Sequence, residues 1–421
     1  MFNIKKLFST LTIASFAITA SAQDVTSTPY SQFGLGQLQK NNSVIQLGMG
    51  SIANGVRFEN AINTQNPASY SALQWTTFEV GVFGSFLELK SNNGTAFRNN
   101  AALSYLKVGF PISKKWGASF GLIPLSGMGY ESKINTTLLD TPVTQVYQGS
   151  GGLNQFYIGN AYNITENISL GINASYIFGT LDRSKANEFP DSLGFLNIRQ
   201  TNSTYIGSLF FNYGIQYKKQ LTGDRTLIIG LNGNPGSSLS AIRNTTSIRY
   251  YYQNNTERII DTTQYTQDEN GKVFFPMINS IGFSLGKQNK WLVGADVTLG
   301  QWTQFKIFEV NQNLQNTTDI SIGGAYTPDN MAVGNYFKNI EYRMGFNYNK
   351  SYVNILDENI TQMNITLGMG LPLPKAASRI NFAVEFGKRG TLNKGLIEEN
   401  YIGVHAGFNF CDKWFIQRKY D

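Results

Sequence analysis

The 421-residue sequence holds one cysteine, Cys411, and one histidine, His405. A lone cysteine cannot close an internal disulfide. One histidine cannot furnish a metal site with histidine partners, and neither a metal nor a cofactor is expected. Charge is scarce: 14% of residues are Asp, Glu, Lys or Arg, against about 25% in ordinary soluble domains. The mild basic excess is scattered rather than striped, so a nucleic-acid partner is not expected. Beyond the leader, no window supplies the ~20 consecutive apolar residues of a membrane helix. That excludes helical spans and leaves a transmembrane barrel open, because a barrel's signal is weak per segment.

What the chain does hold is glycine, 42 residues, and aromatic side chains at 13%. It opens with a leader: Lys5 and Lys6, an apolar run from Leu7 to Ile18, and Ala20-Ser21-Ala22 before Gln23. This pattern predicts a secretory signal over 1–22, cleaved before Gln23. From Trp75 onward apolar residues recur with period 2, the mark of strands with two unlike faces. In RINFAVEFG (379–387), Ile380, Phe382, Val384 and Phe386 alternate with Arg379, Asn381, Ala383 and Glu385. QMNITLGMGL (362–371) and EYRMGFNYN (341–349) behave alike. A soluble sandwich would usually carry many Lys and Glu on its outer face. Here the second face is Gly, Asn, Ser and Gln, which suits a crowded wet lumen, while the apolar face suits lipid, where a midplane charge costs up to ~2–4 kcal/mol.

The alternation predicts an all-β fold: a transmembrane antiparallel β-barrel of about fourteen strands with an N-terminal hatch in its lumen. The strands fall at 75–90, 101–111, 116–132, 149–163, 168–182, 198–219, 225–250, 273–286, 291–308, 318–327, 339–351, 361–373, 379–389 and 398–410. An even number returns both termini to the periplasm. Short turns at 113–115, 165–167, 221–224, 288–290 and 374–378 alternate with longer polar loops near 91–100, 133–148, 183–195, 251–271, 309–317 and 391–397. The segment 328–338 is long for the short-turn end to which it is assigned. Trp75, Trp116, Trp291 and Trp414 gather at the short-turn end, as an interfacial girdle would, while Trp302 and Tyr250–Tyr252 are placed at or beyond the other rim. Three segments follow: signal 1–22, hatch 23–74 and barrel 75–421, the last ending in a short basic tail.

Within the hatch, Gly48–Ala72 (GMGSIANGVRFENAINTQNPASYSA) has no sustained period. Lumen-facing glycines on strands let a second backbone approach closely, which such a plug requires. Neither GSGG (149–152) nor GLG (34–36) follows a strand and opens a helix, so neither reads as a phosphate loop. His405 shares parity with Gly403, Gly407 and Asn409 and so faces the lumen. It would be the base of a Ser–His hydrolase only with a serine and an orienting group beside it; its plainer reading is a lumenal hydrogen-bonding residue, and no catalytic residue is assigned. In the third strand, WGASFGLIPLSGMGYESK (116–133), Pro124 cannot donate to a ladder, and Gly127 and Gly129 weaken the strand further. This marks either a harmless bulge near the rim or a hole in the wall.

The chain resembles the FadL/TodX family of outer-membrane transporters for long-chain fatty acids and other hydrophobic molecules. The resemblance is carried by Phe33-Gly34-Leu35-Gly36, by Gly48-Met49-Gly50, by Asn66-Pro67-Ala68, and by Pro111-Ile112 through Trp116-Gly117 into Gly121-Leu122-Ile123-Pro124. It implies a fourteen-stranded barrel, a lumenal hatch containing Gly48, Gly50, Asn66, Pro67 and Ala68, and an inward kink of the third strand that opens the wall sideways where Pro124, Gly127 and Gly129 lie. The implied activity is passive uptake of a hydrophobic ligand through the outer membrane of a Gram-negative-type envelope, with membrane lipid as neighbour and no covalent chemistry. Some relatives instead serve as partners in protein export or assembly machines, and here the 251–271 loop would bind such partners. The chain departs from the family in its long segment before Gly48, in its extended C-terminus, and in pocket residues that do not map onto it.

Overall fold

A computed structural model describes residues 26–414 with the exception of 41, 139, 190–194, 255, 333 and 375. The expected leader, the expected cleavage site and all but the start of the C-terminal tail lie outside these residues.

Strand alternation decides the architecture. Fourteen strands form a closed antiparallel ring: β2 (Thr76–Ser91), β3 (Gly94–Ser113), β4 (Trp116–Leu138), β5 (Thr141–Asn163), β6 (Ile168–Glu188), β7 (Asn197–Leu221), β8 (Arg225–Asn234), β11 (Ile278–Lys287), β12 (Trp291–Gly300), β15 (Thr317–Tyr326), β16 (Glu341–Ile355), β17 (Glu358–Pro372), β18 (Arg379–Gly390) and β19 (Glu398–Asp412). β19 closes on β2 from Glu398↔Lys90 to Asp412↔Thr76. Five further strands lie outside the ring: β1 (Gln37–Leu38), the hairpin β9 (Ser237–Gln253) and β10 (Thr256–Phe275), and the short pair β13 (Lys306–Ile307) and β14 (Val310–Asn311).

The two faces point as lipid and lumen require. On β18, Phe382 and Phe386 are 39% and 46% exposed, whereas Asn381 and Ala383 are 0% and 1%. A sandwich core would reverse these values. The exposed set on β17 (Met363, Ile365, Leu367 and Met369) and on β16 (Tyr342, Met344 and Phe346) repeats the rule. Such a continuous apolar belt on a closed barrel is a membrane-spanning surface. Among the described residues no helix is long and apolar enough to cross a membrane.

Several boundaries differ from the sequence reading. The expected strand 225–250 breaks at Pro235-Gly236: β8 stops at Asn234, Gly236 turns at φ +78°, and β11 takes the place beside β8. The expected loop 251–271 is mostly β10, paired with β9 from Thr256↔Gln253 to Phe275↔Ser237 with three bulges. Its Thr, Ile and Tyr are strand formers, and its polarity reflects a strand with both faces exposed rather than a loop. The expected loop 133–148 is likewise ladder, with β4 and β5 paired as far as Leu138↔Thr141. Strand 291–308 ends at Gly300, and Trp302, expected at or beyond the outer rim, opens a 3-10 turn with its side chain buried. It stacks on Tyr352 at 4.5 Å and meets Phe275 edge-on at 5.5 Å. Together with Leu35, Leu125, Phe210, Phe305, Val353 and Ile360, it forms an apolar cluster inside the long-loop end.

The leading segment winds inside the ring. Its short helix Val44–Gly48 is fixed by a capping box between Ser43 and Gln46, which satisfies N-terminal donors that would otherwise be buried unpaired. Asn66 caps the 3-10 turn Pro67–Ala72, its side chain accepting from Ala68 N. Val44, Ile62, Tyr70 and Leu73 pack with Tyr105, Ile123 and Tyr157 of the wall; full burial of such side chains stabilises by roughly 1.5–3 kcal/mol each.

Candidate functional site

The wall has one weak seam. β3 pairs with β2 up to Ser91↔Gly94, and β4 pairs with β5 up to Leu138↔Thr141. Between themselves, however, β3 and β4 pair only from Ser113↔Trp116 to Leu106↔Leu122. Pro124 follows two residues later, and the β4–β5 register shifts between Pro124 and Ser126. A residue with no N–H cannot continue the ladder to β3. Above this point, among the described residues, both facing edges are without a wall partner.

The leading segment occupies the gap from inside. β1 pairs antiparallel with β4, Gln37↔Gly127 and Leu38↔Ser126. Gln39 N donates to Leu125 O at 2.9 Å. The Ser31 hydroxyl donates to Gly129 O at 3.2 Å and accepts from Gly129 N at 3.1 Å. On the other bank, the Ser27 hydroxyl and the Asn100 carboxamide of β3 hydrogen-bond at 2.7 Å. Residues 27–39 therefore bridge the parted strands, and the orphan backbone groups of β4 find partners there, as buried ones must. Gly36 (φ +90°) lies so close that a Cβ would collide with Gly127 O.

Each residue singled out in the sequence has a definite place. Gly48 ends the short helix, where a Cβ would come within 3.2 Å of Gly368 Cα. Gly50 (φ +69°) sits against β15 and β16, where a Cβ would come within 2.6 Å of Ile322 O. Asn66 accepts from Ala68 N at 3.2 Å and donates to Asn54 O at 3.0 Å. Pro67 and the Ala68 N–H press on Gly171, where no side chain would fit. These five lie in the lumen in two groups, Gly48 and Gly50 against β15–β17 and Asn66–Ala68 against β6–β8; Pro124, Gly127 and Gly129 lie apart from them at the seam. His405 faces the lumen, 3.6 Å from Glu385 and stacked on Phe83. Cys411 is buried, its Sγ bonding Asn60 O at 3.4 Å.

Beside the seam lies a cavity of about 480 Å³, lined in part by the leading segment. Leu38, Pro124 and Leu125 form its wall at the seam, and Phe210, Phe275, Trp302, Tyr352, Val353 and Ile360 close it at the long-loop end. Two contributors were missed by sequence reasoning. Gln37–Leu38 is too short to show a period. Asp296 was detectable as a carboxylate with lumenal parity in the otherwise apolar strand WLVGADVTLG, because ionisable residues at membrane depth face an interior and mark function.

Comparison with known proteins places these features in a wider set. The model of the BamG family matches residues 3–421. No curated protein matches the chain. Among solved structures, the Pseudomonas putida toluene transporter TodX is 17% identical with a TM-score of 0.58, over 90% of this chain and 99% of that one. The Ralstonia pickettii toluene transporter TbuX is 15% identical with a TM-score of 0.57, over 88% and 98%. The CymD monoaromatic hydrocarbon channel is 14% identical with a TM-score of 0.55, over 90% and 99%. At these identities the likeness is one of fold: this chain shares the FadL-like barrel.

Proposed function

The chain belongs to the BamG family, and we propose that it works as an outer-membrane channel for passive uptake of hydrophobic small molecules. The reading rests above all on the β3–β4 seam, which has no wall-to-wall ladder above Leu122 and is bridged by residues 27–39 beside an internal cavity. A ligand enters through the long-loop end, lodges under the Trp302 cluster, displaces the hatch strand Gln37–Leu38, and leaves sideways into the bilayer. The cargo is an apolar ring or chain; long-chain fatty acids, which the sequence resemblance suggests, contain such a chain. Binding draws on buried apolar area at about 25 cal/mol per Å². The fold shared with the toluene transporters supports the same reading.

The experiment is uptake of a labelled apolar probe into liposomes carrying the full-length protein, with Gly127→Trp as the variant. The indole blocks the seam, and uptake should fall to the protein-free level while the barrel still assembles. Undiminished uptake would remove the lateral route.

A second reading is an accessory subunit of an outer-membrane protein export or assembly complex. It is favoured by the β9–β10 hairpin, which extends from β7 through β9, Asn197↔Tyr250 to Ile206↔Ala241, and carries Ile259 and Tyr265 60% and 65% exposed on β10. Mild-detergent purification separates the two readings. Stoichiometric protein partners lost on deleting 244–268 favour the second, and a lone barrel that binds apolar ligand favours the first.

A further inference from the structure

The cavity is two-faced. Along the strands its inward residues change from apolar to polar, from Phe210 to Asn212 on β7 and from Ile278 to Ser280 on β11. A ligand whose chain lies under Trp302 therefore sets its head group among carboxamides and hydroxyls. The charges in that lining are unevenly matched. Lys40 is held by Asp319 at 2.8 Å and Arg389 by Glu399 at 3.2 Å. His405 stands 3.6 Å from Glu385. Asp296 is different: one oxygen accepts from Ala53 N at 2.6 Å and Asn54 N at 2.9 Å, and the other, buried over Gly282 of β11, has no hydrogen-bond partner. No cation lies within ion-pair distance of it among the described residues, and it is 5% exposed. The lining thus carries three carboxylates, Asp296, Asp319 and Glu385, against two permanent cations, Lys40 and Arg389, both already engaged.

Resting on the channel reading above, we infer that this cavity selects amphiphiles whose head donates hydrogen bonds, an ammonium or a hydroxyl on an apolar chain, and discriminates against the same chain ending in a carboxylate. A carboxylate would shed its water beside an unneutralised like charge with no free cation to receive it, which disfavours the ionised form. An ammonium is drawn by the field of an uncompensated buried carboxylate and meets a set of carboxamide acceptors, and a hydroxyl meets the same acceptors without the charge gain.

The test is calorimetric titration of the full-length barrel in nanodiscs with octylammonium, 1-octanol and octanoate, with empty nanodiscs subtracted. Octylammonium should bind at least about ten-fold more tightly than octanoate, with octanol between them. Asp296→Asn should cut that preference to within about three-fold and leave octanol unchanged. Thr298→Lys, which sets an ammonium on the same face of β12, should raise octanoate affinity and keeps the question open if the first variant assembles poorly. Octanoate binding as tightly as octylammonium, or a preference that neither variant moves, overturns the inference while leaving the channel reading intact. No binding by any of the three probes overturns both.

Discussion

β18 and β19 pair without a break from Arg379↔Asn409 to Gly390↔Glu398, whereas β3 and β4, two strands of the same wall, part at Leu106↔Leu122. The first seam is made of wall strands alone, and opening it exposes backbone to lipid, where each unsatisfied group costs several kcal/mol. The second is completed by a two-residue strand and a serine hydroxyl from the leading segment. A net hydrogen bond contributes only about 0.5–1.5 kcal/mol, so on the proposed channel reading this seam would open locally at a fraction of the energy needed to unfold the barrel. One barrel therefore holds a joint laddered by wall strands and another bridged by the leading segment, which the proposed channel would open, and the difference traces to Pro124 and to what lies inside it.

The largest effect should come from breaking the permanent joint. Val384→Pro removes a ladder donor between β17 and β19 at a cost of about 3 kcal/mol or more, and heat-modifiable folded barrel should disappear on electrophoresis. Ser104→Pro should leave assembly intact, because Ser104 is skipped in the β2 ladder and has no partner on β4. Next comes Gly345→Val. A strand tolerates valine, but the new Cβ would collide with Gly50 N. The barrel should form while the leading segment is displaced, and trypsin should cut at Arg57, which is protected in the parent. Smaller still is Ser31→Ala, which leaves Gly129 N–H unsatisfied at a cost of about 1–3 kcal/mol. Amide exchange should quicken over 125–129 and remain unchanged across β18–β19.

The smallest effect lies outside the membrane. Hydrogen bonds from Arg249 and Arg243 hold the Asp261 and Glu269 carboxyls of the β9–β10 hairpin below their ordinary pKa values. A depressed folded-state pKa means stabilisation that is present above the unfolded pKa of about 4 and lost as pH falls through the lower folded value. Hairpin amide protection should therefore weaken modestly only below about pH 4, leaving both wall seams unaffected.

The lipid-facing rows were legible because period 2 fixes which side chains share a face, and the near-absence of charge on both rows distinguished lipid from water. The strand count was legible for the same reason. The hairpin was not: β10 is exposed on both faces from Thr256 to Asn270 and becomes buried only at Val273 and Phe275, so most of it lacks the alternation that reveals a wall strand. Trp302 was placed at the rim by counting along a strand that in fact ends at Gly300. Pro124 was legible as a residue unable to donate, but the identity of the lost neighbour depends on register, which one sequence does not display. Gln37–Leu38 carries no local signal, since its strand exists only through a partner some ninety positions away.

The most direct test is a reversible lock on the openable joint. Leu38 and Ser126 face each other across β1 and β4, at a separation that antiparallel partners keep within disulfide range. In a Cys411→Ser background, Leu38→Cys with Ser126→Cys should stop uptake of an apolar probe when oxidised and recover it on reduction, with the barrel folded throughout. Uptake that continues at the parental rate with the bond closed would contradict the account.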